Sequence, residues 1–264
     1  MSTEQVLDDR PRGHARARIR ESANKVPEVT VYFWIIKVLT TGMGETAFDF
    51  LARTLGNIPA VGLGGLAFLA SLVLQFAVRR YIAWIYWTAI VMVSVFGTMA
   101  ADAFHVVLGV PYTLSTPLFM IALAAVFVFW YKSERTLSIH SIRTRRRELF
   151  YWAAVLATFA LGTAAGDLTA TIGLGYLGSA VLFAVAICVP AVAHRAGLLG
   201  AVTAFWTAYV ITRPLGASLA DWIALPGRRG GLDFGLGPVT LAWTVAILAL
   251  VGYLAVSRQD VQTA

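Results

Sequence analysis

A tryptophan, nine residues, a glycine, four residues and an aspartate recur four times in this chain without a gap. The copies are "WIIKVLTTGMGETAFD" from Trp34, "WTAIVMVSVFGTMAAD" from Trp87, "WAAVLATFALGTAAGD" from Trp152 and "WTAYVITRPLGASLAD" from Trp206. They align Gly44, Gly97, Gly162 and Gly216, and Asp49, Asp102, Asp167 and Asp221. Each copy lies in an apolar run long enough to cross a hydrocarbon layer of about 30 Å. Aspartate is rare in such runs because an ionised carboxylate costs about 3 kcal/mol there. Four at one register therefore define an internal repeat.

Eight apolar spans can be drawn, at about 29–53, 62–78, 81–107, 114–131, 149–172, 176–194, 200–225 and 236–256. The odd spans carry Gly, Thr, Ser and ionisable residues, and the even spans are almost purely apolar. The expected fold is all-α, a polytopic membrane protein of eight transmembrane helices built from four two-helix repeats. The expected organisation is a flexible basic cytoplasmic tail over 1–28 and a single membrane domain over 29–258, with repeats at about 29–80, 81–132, 149–196 and 200–256. Two crossings per copy make the copies enter in one direction, so they are parallel repeats related about the membrane normal.

With 58% hydrophobic and 13% charged residues, no hydrophilic stretch is long enough for a second domain. Sixteen lysines and arginines fall at one set of span ends and three at the other. By the positive-inside rule both termini are expected to be cytoplasmic. That asymmetry accounts for the net charge of +7; no aromatic-basic platform points to nucleic acid. The single cysteine, Cys188, excludes an intramolecular disulfide and a thiolate metal cluster.

In a helix rising about 1.5 Å per residue each aspartate lies roughly 22 Å from its tryptophan. The tryptophans are expected to form an interfacial belt, and the aspartates to face a shared interior. Glu45, one turn before Asp49, shares its face, and His105 lies three residues beyond Asp102. Thr41, Thr98, Thr163 and Ser218 offer neutral oxygens. The expected metal-ligating set is Asp49, Asp102, Asp167, Asp221, Glu45 and His105. Oxygen donors with one imidazole and no sulfur suit a hard or borderline divalent cation such as manganese, or protons, and disfavour copper(I). Arg213 and Lys37 are the expected charge-balancing groups, outnumbered five to two by carboxylates. Arg213 precedes Pro214, expected to kink its helix, and Lys37 is near enough to Trp34 to snorkel to the interface. The competing reading is a polar girdle that only fixes helix packing, with Arg213 paired to one aspartate.

No H-E-x-x-H or G-x-S-x-G motif occurs, and the glycine-rich outer loops lack a phosphate-loop context, so neither enzyme activity nor a cofactor is expected. The inner loop at 132–148 is strongly basic and is expected to meet anionic lipid or a partner protein. The function expected first is inner-membrane transport of a hard or borderline cation, as a divalent metal or coupled to protons. The alternatives are a non-transporting scaffold or sensor using the basic loop, and a proton-coupled permease for a small organic solute.

The four-copy layout, with "KVPEV", "SERTLSIHSI", "RRRE", "LGTAAGD" and "TRPLGAS", resembles a bacterial family of uncharacterised membrane-anchored proteins built from a tandem repeat of unknown function, two helices and a tryptophan per copy. The resemblance covers about residues 25–256. It implies this architecture and carries no activity with it.

Overall fold

The computed structural model describes residues 24–261. Among them every regular element is helical and no strand occurs. The first copy comprises α1 (Val31–Leu55) and α2 (Asn57–Ala77). The second comprises α3 (Ala83–Asp102), prolonged by a π-helical turn over Ala103–Val107, and α4 (Tyr112–Glu134). In the third, α5 (Arg145–Thr169) is prolonged by a π-helical turn over Ala170–Leu174 and followed by α6 (Gly175–Ala186) and α7 (Cys188–Arg195). The fourth comprises α8 (Ala201–Ala224) and α9 (Leu236–Ser257).

Five stretches are long and apolar enough to cross a membrane: Asn57–Ala77, Ala83–Val107, Tyr112–Glu134, Arg145–Arg195 and Leu236–Ser257. The chain is a multi-pass membrane protein. Helices α1 and α8 fall outside this set and carry the axial charges Lys37, Glu45 and Arg213. Thr30 and Thr144 cap α1 and α5, each side chain accepting from a backbone N–H three residues on. Gly56 alone separates α1 from α2, at φ +87°, a conformation that costs only glycine nothing. Gly173, at φ +119°, turns the chain between α5 and α6 in the same way.

The repeat glycines explain how the copies assemble. A methyl group on Gly44 would meet the Ser94 backbone at 2.8 Å, and one on Gly97 would collide with Phe159. One on Gly162 would meet Arg213 and, at 2.9 Å, Pro214; one on Gly216 would meet Thr41 at 2.8 Å. In every case the partner lies in the next copy, seven residues after its tryptophan. The fourth contact returns to the first copy, so α1, α3, α5 and α8 close into a ring around one axis. Small residues let the backbones approach this closely.

The aromatic end of the ring repeats the same circuit. Phe33 meets Trp87 at 5.7 Å between centroids, Tyr86 meets Trp152 at 5.9 Å, Tyr151 meets Trp206 at 6.1 Å and Phe205 meets Trp34 at 5.7 Å. Each residue preceding a repeat tryptophan thus touches the tryptophan of the following copy. This corrects the expected interfacial belt: Trp87, Trp152 and Trp206 are buried and Trp34 is half-buried. An aromatic on both sides of each junction gives the indoles a protein partner and draws them inside.

The outer helices follow suit. Helix α2 packs on α3, α4 on α5, α6 on α8 and α9 on α1, so each leans chiefly on the inner helix of the next copy. Their far faces expose Leu66, Val73, Ile121, Val185, Leu241 and Val245, as a lipid-facing wall does.

Residues Asn24 to Thr30 cross the aromatic end as a strap. Lys25 forms a buried ion pair with Glu148 at 2.5 Å, and Gln75 donates to the same carboxylate at 3.2 Å. Backbone bonds join Lys25 to Ile142 and Glu28 to Asp260. Residues 1–23, most of the expected tail, lie outside the described residues. The basic loop at 132–148 is itself folded down, with Ile139 and Ile142 buried and Glu134 holding Arg147 at 2.8 Å and Arg146 at 3.5 Å. Replacing Glu148 with Gln keeps a hydrogen-bond acceptor but leaves the buried Lys25 ammonium without its counter-charge, and is expected to cost about 3 kcal/mol. The strap then opens more often, and thiol labelling of a cysteine placed at Val26 should quicken relative to the same cysteine with Glu148 intact.

Candidate functional site

Residues one before, and three, seven and eleven after, each tryptophan form a stripe along the ring axis. Three residues on stand Lys37, Ile90, Val155 and Tyr209; seven on stand Thr41, Ser94, Phe159 and Arg213; eleven on stand Glu45, Thr98, Thr163 and Ala217. All twelve are buried. The stripe begins aromatic, turns mixed, and becomes polar towards the aspartate end.

Arg213 sits at the polar level and is 0% exposed. Its Nη2 donates to Glu45 Oε2 at 2.7 Å, to Thr163 Oγ1 at 2.7 Å and to Thr98 Oγ1, while Nη1 donates to the Thr41 carbonyl at 2.8 Å. The acceptors come from the other three copies. Glu45, Thr98 and Thr163 occupy the same repeat position, directly after the glycine. The fourth copy has the short Ala217 there and sends Arg213 up from one turn below. One carboxylate, two hydroxyls and one carbonyl therefore form an oxygen cage that the protein's own guanidinium fills. The competing reading pairs Arg213 with an aspartate; its partner here is Glu45. Helix α8 runs on through Pro214 from Ala201 to Ala224.

Lys37 does not snorkel. It is 1% exposed, with Nζ 3.9 Å from the Phe159 ring centroid and 4.1 Å from that of Tyr209, and it has no hydrogen-bond partner. The reason is rotational: Lys37 lies one turn after Phe33 on the axis-facing stripe, so its stem points into the ring.

A stripe stepping by four residues drifts about 40° around its helix at each step. By the aspartate level the axis is taken by the preceding residues Phe48, Ala101, Gly166 and Ala220, all buried. The aspartates stand beside it, Asp221 buried and Asp49, Asp102 and Asp167 half-buried. Asp49 and Asp102 line a cleft of about 250 Å³ with Arg53, Asn57 and Met99, and Asp49 lies 3.9 Å from Arg53. Tyr112 of α4 lies close enough to Asp167 to interact with it. Asp102, Asp167 and Asp221 each interact electrostatically with Glu45, Asp49 and Arg213, and Asp49 also with Arg53 and Arg229.

The expected six-residue metal set is not assembled as one centre. Among the described residues no three His, Cys, Asp or Glu side chains come together closely enough to hold a metal ion. His105 stands apart in the π-helical turn, stacked on Tyr112 at 3.9 Å with Nδ1 3.2 Å from the Val110 carbonyl. The neutral oxygens divide: Thr98 and Thr163 join the cage by their hydroxyls and Thr41 by its carbonyl, whereas the Ser218 hydroxyl has no hydrogen-bond partner. Chemically the arrangement is an acidic level beside a filled axis, above a cage for one positive charge that is closed below by aromatic rings.

A family model described as Repeat of Unknown Function (DUF347) matches the chain four times, over residues 32–81, 85–136, 150–196 and 204–260. No curated protein and no solved structure matches it.

Proposed function

Since the chain belongs to the family defined by that repeat, whose four copies cover most of its length, we propose that it is a transporter moving a cation through the ring axis, with proton coupling. All eight hairpin arms cross the bacterial inner membrane in this reading, with the strap and both termini on the cytoplasmic side, where the positive charges gather. The observation that carries it is the gathering of five carboxylates at one end of the ring, four of them, Glu45, Asp102, Asp167 and Asp221, within electrostatic reach of a single buried guanidinium. A level of that sign raises the local concentration of cations. A hard cation entering from it meets oxygen donors only, and competes with Arg213 for Glu45, Thr98 and Thr163.

Because no multidentate chelate is preformed among the described residues, selectivity in this reading comes from the cage and not from the aspartates. The scaffold reading draws less support, since Arg146 and Arg147 of its basic loop are engaged by Glu134. Anionic lipid remains the partner best suited to the loop's other basic residues.

The test is flux into proteoliposomes containing a pH dye, across manganese, magnesium, calcium, sodium and potassium gradients. Wild-type protein is expected to couple at least one of these to proton movement, and Asp102→Asn with Asp167→Asn to reduce the rate about tenfold or more by removing charge from that level. Silence for every ion, with unchanged behaviour of the double variant, would end the proposal.

A further inference from the structure

Where α3 begins and α9 ends, the aromatic end of the ring carries a cavity of about 420 Å³, a size that takes a small ligand. Asn24 of the strap, Arg80 and Trp84 at the entry of α3, and Leu254, Arg258 and Asp260 at the exit of α9 line it. The membrane-crossing stretches Ala83–Val107 and Leu236–Ser257 stop at this level, so the cavity lies at the membrane boundary. Its wall holds polar atoms without partners. Asn24 is 9% exposed, and neither the nitrogen nor the oxygen of its side chain has a hydrogen-bond partner. Asp260 is 2% exposed; its Oδ2 accepts from Tyr81 and its Oδ1 from nothing. Buried polar groups ordinarily find partners, so one amide nitrogen and two oxygens are left for a ligand. Burial pushes the Asp260 carboxyl above its ordinary range, and a cation beside it offsets that cost. Arg80 and Arg258 stand at the exposed rim, and neither forms an ion pair among the described residues.

An apolar groove of about 180 Å³ continues this cavity into the membrane between α3 and α9, and Trp84 belongs to both. Beyond Trp84 it is lined by Val91 and Met92 of α3 and by Thr244, Leu248 and Val251 of α9. From Trp84 to Val91 it follows α3 for seven residues, about 10 Å. A head cavity with both signs of charge, opening into a hydrocarbon groove, is the outline of one amphiphile. Two arginines at the rim call for a phosphate, which a guanidinium fork matches in charge and shape. The orphaned oxygens of Asp260 and Asn24 call for N–H donors, and a primary ammonium brings three.

We propose that cavity and groove together bind one bilayer phospholipid whose head carries a primary ammonium beside its phosphate. The phosphate sits against Arg80 and Arg258, the ammonium donates to Asp260 Oδ1 and to the Asn24 side-chain oxygen, and the Asn24 amide nitrogen donates to a phosphate or ester oxygen. One acyl chain follows the groove from Trp84 towards Leu248. The lipid thereby braces the strap where two backbone bonds already fasten it, from the Tyr81 N–H to the Asn24 carbonyl and from the Glu28 N–H to the Asp260 carbonyl. The assignment is independent of the transport reading.

The test strips the full chain of lipid in detergent and titrates it with phosphatidylethanolamine, phosphatidylcholine or phosphatidylglycerol of matched chains, counting bound lipid by native mass spectrometry. Choline keeps the phosphate and replaces every ammonium N–H with methyl. Phosphatidylethanolamine is expected to bind about tenfold more tightly than either of the others, the scale of one charge-assisted hydrogen bond. Asp260→Asn, which keeps an acceptor for Tyr81, should bring it down to the phosphatidylcholine level, and Arg80→Ala with Arg258→Ala should weaken both about tenfold. Soluble glycerophosphoethanolamine, which has no chain for the groove, should compete only at about a hundredfold higher concentration or more. Equal binding of phosphatidylethanolamine and phosphatidylcholine overturns the assignment, and so does a preference for phosphatidylglycerol, which would make this a plain anionic-lipid contact. Competition by the soluble head at the lipid's own concentration overturns it in favour of a soluble phosphate ester. The lipid comparison uses wild-type protein alone, so it decides the matter even where a variant does not fold.

Discussion

Replacing Arg213 with Met is expected to destabilise the protein by about 3–5 kcal/mol, the scale of breaking a buried ion pair from one side. The loss is not mainly the attraction. With the guanidinium gone, Glu45 keeps a carboxylate that is 5% exposed, and Thr163 and the Thr41 carbonyl lose their donors. Methionine fills much of the volume, so packing is a minor part of the change. The measurement is the midpoint of thermal unfolding in detergent, or the yield of monodisperse protein where the variant is too unstable to heat. The double variant Arg213→Met with Glu45→Gln should recover a large part of the loss, because no uncompensated charge remains. Arg213→Lys should fall between, since one ammonium cannot span both the Thr41 carbonyl and the Glu45 side of the cage. A single Arg213→Met variant as stable as wild type would mean that the pair does not hold the ring together.

Gly162→Val is expected to cost about 3 kcal/mol, the upper end of what overpacking usually does. Its first added carbon meets Pro214 Cδ at 2.9 Å and the Cβ of Arg213, atoms held close to the backbone of α8, and two further methyls follow. The neighbour cannot swing aside as a long side chain would. The same change displaces Arg213 from its acceptors, so the variant should also weaken any cation-dependent flux. Gly62→Ala supplies the contrast: an added Cβ there meets nothing within 4 Å, and the exchange removes a poor helix former. It should be neutral or slightly stabilising in the same melting experiment. If both variants melt like wild type, the inner helices are not in the close contact from which the circuit is built.

The fourfold register was legible because each of its elements is costly or unusual in lipid and recurs at one spacing. From it followed the helical fold, the copy boundaries within a few residues, and the division into polar inner and apolar outer helices. The site was legible only in part. Glu45 and Arg213 stood out as intramembrane charges, but their pairing joins different positions of different copies, and a repeat pattern ranks equivalent positions together. Lys37 was misread because distance from a tryptophan gives depth only if that tryptophan lies at the interface, and here the indoles are inside. The aspartates share a level as expected, yet the stripe's drift turns them beside the axis. Two columns in the aligned copies carried the missing signal. An aromatic precedes every tryptophan, and Glu, Thr, Thr and Ala follow the glycine; the second marks one copy as the place where a neighbouring side chain can enter.

Four separate, identical hairpins could close the same circuit, but only by placing four copies of every group around it. Four guanidiniums at one point would repel, and four alanines would leave nothing to hold them. Joining the hairpins into one polypeptide lets a single copy carry the arginine, a single copy carry the lysine, and the others supply what each requires. The tandem duplication thus did more than lengthen a gene: it released each copy from obligatory sameness, and so allowed a lone positive charge to sit at the centre of a nearly symmetric body.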